Sequence, residues 1–248
     1  MATFQTQYNS AIAKKYSDEI SRLIRQYFSY VSDKAIEAYL ITGDFSSLAS
    51  EEMLTSANLY INELQPKIQQ ITNKFLLGVE TKTNAQFIRC YKQAGKPIPA
   101  ELKTYRLNKT QQNLLTMQQQ EITDLMNWQS KRIIKYLQQN AVQDVSITQF
   151  KKFLKEQKIP DKQIDKLAKN QLRYTTSAID QSKAVSLGLN MAKWHHIQNY
   201  SVYKTRPRRS HVEADGEIFD LGKGCKIDGK YILPGQEPYC LCFFTIEI

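Results

Sequence analysis

Side chains capable of special chemistry are concentrated near the C-terminal end of the chain. All three histidines (His195, His196, His211) and three of the four cysteines (Cys225, Cys240, Cys242) fall between positions 194 and 244. The same stretch carries Arg206-Pro207-Arg208-Arg209-Ser210-His211, with Asp215-Gly216 close behind. His211, Cys225, Cys240 and Cys242 are four ligands of zinc-compatible type, because a structural zinc takes imidazole nitrogens and thiolate sulfurs in a tetrahedron. The Cys-x-Cys spacing is tighter than the usual Cys-x-x-Cys, so two other readings stand beside it. One is a buried histidine bonded to a backbone carbonyl with small apolar cysteines in a strand; the other is a redox role. Arg206, Arg208, His211 and Asp215 also make a set that can cleave a phosphodiester without metal, with His211 as acid or base. That chemistry needs a second acid or base facing the first, which the spacing does not supply. The adjacent His195 and His196 after Trp194 read as packing and surface residues.

The elements that position these residues follow from apolar periodicity. Ile12, Tyr16, Ile20, Leu23, Tyr27 and Val31 step by three and four and predict an amphipathic helix within 6–40. Leu54, Ala57, Ile61, Leu64, Ile68, Ile71 and Phe75 form a narrower stripe, interrupted at Pro66, where a kink or restart is expected. Gly95-Lys96-Pro97-Ile98-Pro99 reads as a linker. A long helix is predicted from about Asn108 to Asn140, its glutamines at 111–120 exposed. Ser146 and Gln149 have capping-box spacing before a short basic helix, Gln149 to about Gln157, bearing Lys151, Lys152 and Lys155. A last helix runs from about Lys162 to Ser186, with Asp161 as N-cap and Gly188 closing it. Beyond Asn190 the texture changes to short apolar runs separated by Asp215-Gly216, Asp228-Gly229 and Pro234-Gly235, the mark of a strand-and-loop module. Strands this short must pack on the preceding helix. The fold class is therefore α+β, a mostly helical N-terminal body with a small β-rich C-terminal module. The sequence divides into a helical region 1–94, a basic helical region 95–190 and the module 191–248.

Composition bounds the function. The 248 residues are 42% hydrophobic and 23% charged, enough for a real core and unlike a disordered chain. No apolar run approaches a membrane span of roughly 18 residues, and Met1 to Ile20 lacks the apolar core of a signal peptide, so a chain made in a cytoplasm is expected. The net charge of +10 is uneven: residues 82–193 hold 20 Lys and Arg against 8 Asp and Glu, whereas 194–248 hold 7 of each. A basic segment attracts nucleic acid or an acidic partner, and equally serves as a solvated helical surface. A DNA-binding helical protein is one reading of this charge. Arg206, Arg208 and Arg209, whose planar guanidinium groups suit phosphates and carboxylates, join Lys151, Lys152 and Lys155 as candidate contacts; pairing with Glu213 and Asp215 is the alternative for the arginines.

The spaced elements of the module carry a resemblance. Trp194, Arg206-x-Arg208-x-Ser210-His211, Ala214-Asp215-Gly216, Phe219-Asp220-Leu221, Pro234-Gly235-x-Glu237 and Cys240-x-Cys242 occur in that order. Over roughly 145–244 the chain resembles the phage Mu F-like minor head (head morphogenesis) family. It departs from that family's usual Asn-Cys-Arg-Cys ending, reading Tyr239-Cys240-Leu241-Cys242. The resemblance implies a minor head protein of a tailed phage: no enzyme, a virion component made in the host cytoplasm. It further implies action in procapsid assembly, with the portal and head proteins as partners and double-stranded DNA as a further contact. The rival class is a metal-independent nuclease or toxin-like hydrolase built on Arg206, His211 and Asp215.

Overall fold

The computed structural model describes residues 2–42, 47–103, 108–140, 145–197 and 208–248. The fold is α+β, a helical body with a small antiparallel sheet module towards the C-terminus. The elements are β1 (Thr3–Gln5), α1 (Ser10–Thr42), α2 (Ser47–Gln93), a 3-10 turn (Ala100–Leu102), α3 (Lys109–Gln139), α4 (Ile147–Glu156) and α5 (Asp161–Ser186). They continue with β2 (Met191–His195), α6 (Arg209–Glu213), β3 (Ile218–Asp220), β4 (Cys225–Ile227), β5 (Lys230–Ile232) and β6 (Phe243–Glu247). Among the described residues no helix is long and apolar enough to cross a membrane.

Helices form where the periodicity places them, with several local differences. The Ser146–Gln149 capping box is present in both directions: Gln149 N–H donates to Ser146 Oγ at 3.3 Å, and Ser146 N–H to Gln149 Oε1 at 2.9 Å. Gly188, at φ +74°, ends α5, and Leu189 N–H reaches back to the Ala184 carbonyl at 2.9 Å. Helix α2, however, runs without a break through Pro66. The buried seam on both sides (Ile61, Leu64, Ile68, Ile71) outweighs the one backbone bond that proline removes. Leu54 is 41% exposed, and Met53 is buried beside it. Asp161 is the first residue of α5, and its carboxylate takes two hydrogen bonds from Arg25 Nη2, at 2.7 and 2.6 Å. Gln111 and Gln118 are buried, against the exposed helix expected for 111–120. Gln111 can be so because Glu80 accepts from its amide.

The chain forms two compact units that cut across the partition 1–94, 95–190 and 191–248, because the long helices contribute residues to both. One unit, 14–73 with 115–166, is helical. Its segments are stitched by Tyr27 with Ser130, by the Tyr30–Tyr60 stack at 3.9 Å and by the Tyr136–Phe153 stack at 3.7 Å. Exposed Lys151, Lys152 and Lys155 lie on α4 in this unit. The other unit, 1–13, 74–114 and 167–248, holds the sheet. Read by units, the charge of the basic segment redistributes. The sheet-bearing unit has 19 Lys and Arg against 10 Asp and Glu, and the helical unit 15 against 14.

In the sheet-bearing unit the strand order is β1-β6-β2-β3, every pair antiparallel. A separate β4–β5 hairpin turns at Asp228-Gly229, both at positive φ (+50° and +77°), as a two-residue primed turn requires. The N-terminal strand thus belongs to the C-terminal sheet, and its Phe4 stacks on Phe87 of α2 at 3.9 Å. Three-residue strands are unstable alone; here they seat on α5. Asn170 Oδ1 accepts from Tyr239 N–H at 3.1 Å, Ser177 donates to the Pro234 carbonyl, and Gln181 to that of Leu221. Beneath lie two buried polar contacts, Lys183 Nζ to Glu80 Oε1 at 2.8 Å and Thr83 Oγ1 to Asp180 Oδ1 at 2.7 Å.

Candidate metal centre

Strand β2 alternates, so Ala192 and Trp194 face the core while Met191 and Lys193 face outward. The same parity turns His195 out and His196 in. His195 Nε2 meets Thr245 Oγ1 at 2.8 Å, and its ring stacks on Phe243 at 5.0 Å. Trp194 is fully buried, opposite Phe244 of β6. Continuing that register by two residues brings 196 opposite 242, and His196 Nδ1 lies 3.4 Å from Cys242 Sγ. The His196 backbone N–H donates to Asp215 Oδ1 at 2.9 Å.

His211 comes to the same place from α6. Its ring meets Trp194 edge-on at 5.5 Å, and Nδ1 lies 3.4 Å from Cys240 Sγ and 3.7 Å from Cys242 Sγ. Nε2 is 3.2 Å from Glu237 Oε2, which Arg208 Nη1 also holds at 2.9 Å. The ligand atoms of His211, Cys240 and Cys242 all fall within 4.8 Å of one another, and the three residues are buried. Their chemistry, one imidazole nitrogen and two sulfurs, fits a divalent metal of zinc type. All four cysteines are free thiols.

Electrostatics distinguishes the two sulfurs. Hydrogen bonds from Cys242, His211 and the Gly235 N–H (3.4 Å) outweigh burial and hold the Cys240 thiol well below its ordinary range. Cys242 is pushed up, first by its bond to Cys240 and then by burial; Trp194 acts in the opposite direction. For His211, burial pulls the imidazole down, but Cys240 and Glu237 prevail and the net shift is upward. Burial lowers both His195 and His196.

The other candidates take definite places. Cys225 does not join the group: β4 pairs it with Ile232 inside the apolar core, where burial raises its thiol. The expected ligand set therefore contracts by one cysteine. Arg206 lies outside the described residues. Arg208 Nη2 donates to the Pro238 carbonyl at 3.2 Å, and exposed Arg209 pairs with Glu213 at 2.7 Å. Ser210 donates to Asp228 Oδ2 at 2.8 Å, tying α6 to the hairpin turn. Gly216 holds φ +92° and donates to the Trp194 carbonyl at 2.9 Å. Among the described members of the set expected of a hydrolase, Asp215 accepts from the His196 amide, while Arg208 and His211 share Glu237. The residue that sequence reasoning misses as a site member is His196, read with His195 as packing and surface; strand parity with Ala192 and Trp194 turns it inward, beside Cys242. No family model, curated protein or solved structure matches the chain.

Proposed function

We propose that the chain is a minor head protein of the phage Mu F-like type. In this reading it acts in head morphogenesis beside the portal, and its C-terminal module is held by one structural zinc. The observation that carries the reading is convergence. Of the spaced elements of the resemblance, Trp194 meets His211, and His211 meets Cys240 and Cys242, in one buried cluster. Gly235 N–H supports the Cys240 sulfur, exposed Arg208 shares Glu237 with His211, and exposed Asp215 holds the His196 backbone. Contact between members of an ordered motif supports the resemblance. The chemistry favours an assembly module over a hydrolase. His211 has Nδ1 towards two sulfurs and Nε2 towards a carboxylate, so neither ring nitrogen faces a place for substrate. The cationic surplus of the sheet-bearing unit suits a position near DNA, through a salt-dependent field.

Two measurements test this. Mass spectrometry of purified procapsids and virions of the phage encoding the chain should find it with the portal protein; its absence from both particles refutes the head assignment. Elemental analysis of protein purified without chelator should give about one zinc per chain; less than roughly a tenth of an equivalent refutes the metal.

A further inference from the structure

We propose that His196 is the fourth ligand of a closed tetrahedral site formed with His211, Cys240 and Cys242; this rests on the reading that the centre holds zinc. The distances carry it. Zinc–sulfur and zinc–nitrogen bonds of 2.3 and 2.0–2.1 Å give a tetrahedral sulfur–nitrogen edge of about 3.6 Å. Three of the four such edges are near this length, at 3.4, 3.7 and 3.4 Å, and the last belongs to His196 and Cys242. His196 lies outside the group of three whose ligand atoms all fall within 4.8 Å of one another, so its ring closes on Cys240 and His211 as the metal binds.

Burial and charge agree. The four side chains are 8, 3, 4 and 1% exposed in chain order, which suits a closed structural site better than one keeping an open position for water. Two thiolates and two neutral imidazoles balance a divalent ion, so the assembled centre is neutral and tolerates a core. The surroundings are those a ligand shell needs. Glu237, braced by Arg208, takes the far nitrogen of His211 and leaves Nδ1 to face the metal. Asp215 fixes the His196 backbone, and Gly235 N–H supports the Cys240 sulfur. The clip joins the end of β2, helix α6 and the entry to β6, closing stretches of 14 and 28 residues between successive ligand segments.

Cobalt(II) is the probe. The full chain, stripped with chelator and reloaded with cobalt, should show the intense visible bands of four-coordinate cobalt and a sulfur-to-cobalt charge-transfer band. His196→Asn should lose affinity by roughly 100-fold, with weaker bands typical of higher coordination. His196→Cys should restore tight binding with a stronger charge-transfer band, which also guards against simple misfolding of the first variant. If His196→Asn keeps the wild-type affinity and spectrum while Cys240→Ser and Cys242→Ser abolish both, the fourth-ligand proposal is overturned and the metal centre stands. If the wild-type chain takes up neither cobalt nor zinc, the centre itself is refuted.

Discussion

Asp180 offers the sharpest test of the sheet-bearing unit's interior. It is buried in α5, with Thr83 Oγ1 donating to its Oδ1 at 2.7 Å. Lys183, one turn on, is engaged by Glu80 at 2.8 Å and does not neutralise it. Burial therefore dominates and pushes the carboxyl from 3.8 up to about 7. In the unfolded chain the group titrates near its ordinary value, so between about pH 4 and 7 the native state holds a proton that the unfolded state has released. Its contribution to stability is accordingly fullest below pH 4, declines as pH rises through that window and levels off above the folded value. Between pH 5 and 8 the loss works out at about 2–3 kcal/mol, at 1.36 kcal/mol per pKa unit. Asp180→Asn keeps the oxygen that Thr83 uses and removes the ionisation. Urea unfolding of both proteins at pH 5 and pH 8, with saturating zinc throughout, should show the wild type losing that amount relative to the variant. Parallel behaviour of the two, within about half a kcal/mol, refutes the buried neutral carboxyl.

Four further outcomes are expected. Glu80→Gln leaves Lys183 in a mostly buried position without its counter-charge, and should cost about 3 kcal/mol in urea melts. Gly235→Ala forces a left-handed φ of +80° on alanine and drives its Cβ against Tyr8 and Ser177, so thermal melts should register a loss of about 2–4 kcal/mol. Cys225→Ala should leave zinc content at the wild-type level, since β4 pairs that residue with Ile232 in the apolar core, outside the group of His211, Cys240 and Cys242; a halved zinc content would reinstate it as a ligand. Plasmid and RNA incubations should show no cleavage that His211→Ala removes, and any such loss would restore the hydrolase reading.

What the sequence reveals and hides has physical causes. Helices α1 to α5 are legible because their buried faces repeat every three or four residues and their ends carry explicit caps, such as Ser146 with Gln149 and Gly188. Pro66 misleads because a local backbone penalty is weighed without the seam that overrides it. Buried Gln111 misleads because its polar group is satisfied by Glu80, thirty-one residues away. At the metal centre, His211, Cys240 and Cys242 are visible as residue types, while their company is decided by register. Pairing of Trp194 with Phe244 brings 196 to 242, and pairing of Cys225 with Ile232 takes the third cysteine away. Strand register is set by partners distant in the chain, so spacing alone could not choose between His196 and Cys225. The three-residue strand β1 was equally hidden, since nothing local marks Thr3–Gln5 as the partner of β6.

That pairing of β1 with β6 has a mechanical consequence. Thr3 faces Glu247, and the Ile248 N–H donates to the Ala2 carbonyl at 2.9 Å, so residues 2 and 248 leave the sheet at one end of an antiparallel ladder. Handles attached at these two positions load the ladder by peeling: its bonds open one after another, each bearing the whole force in turn. A pull between residue 5 and residue 247 loads the same bonds together in shear and meets greater resistance. Direction of pull, with the bond inventory unchanged, therefore decides how firmly the first strand stays in the sheet.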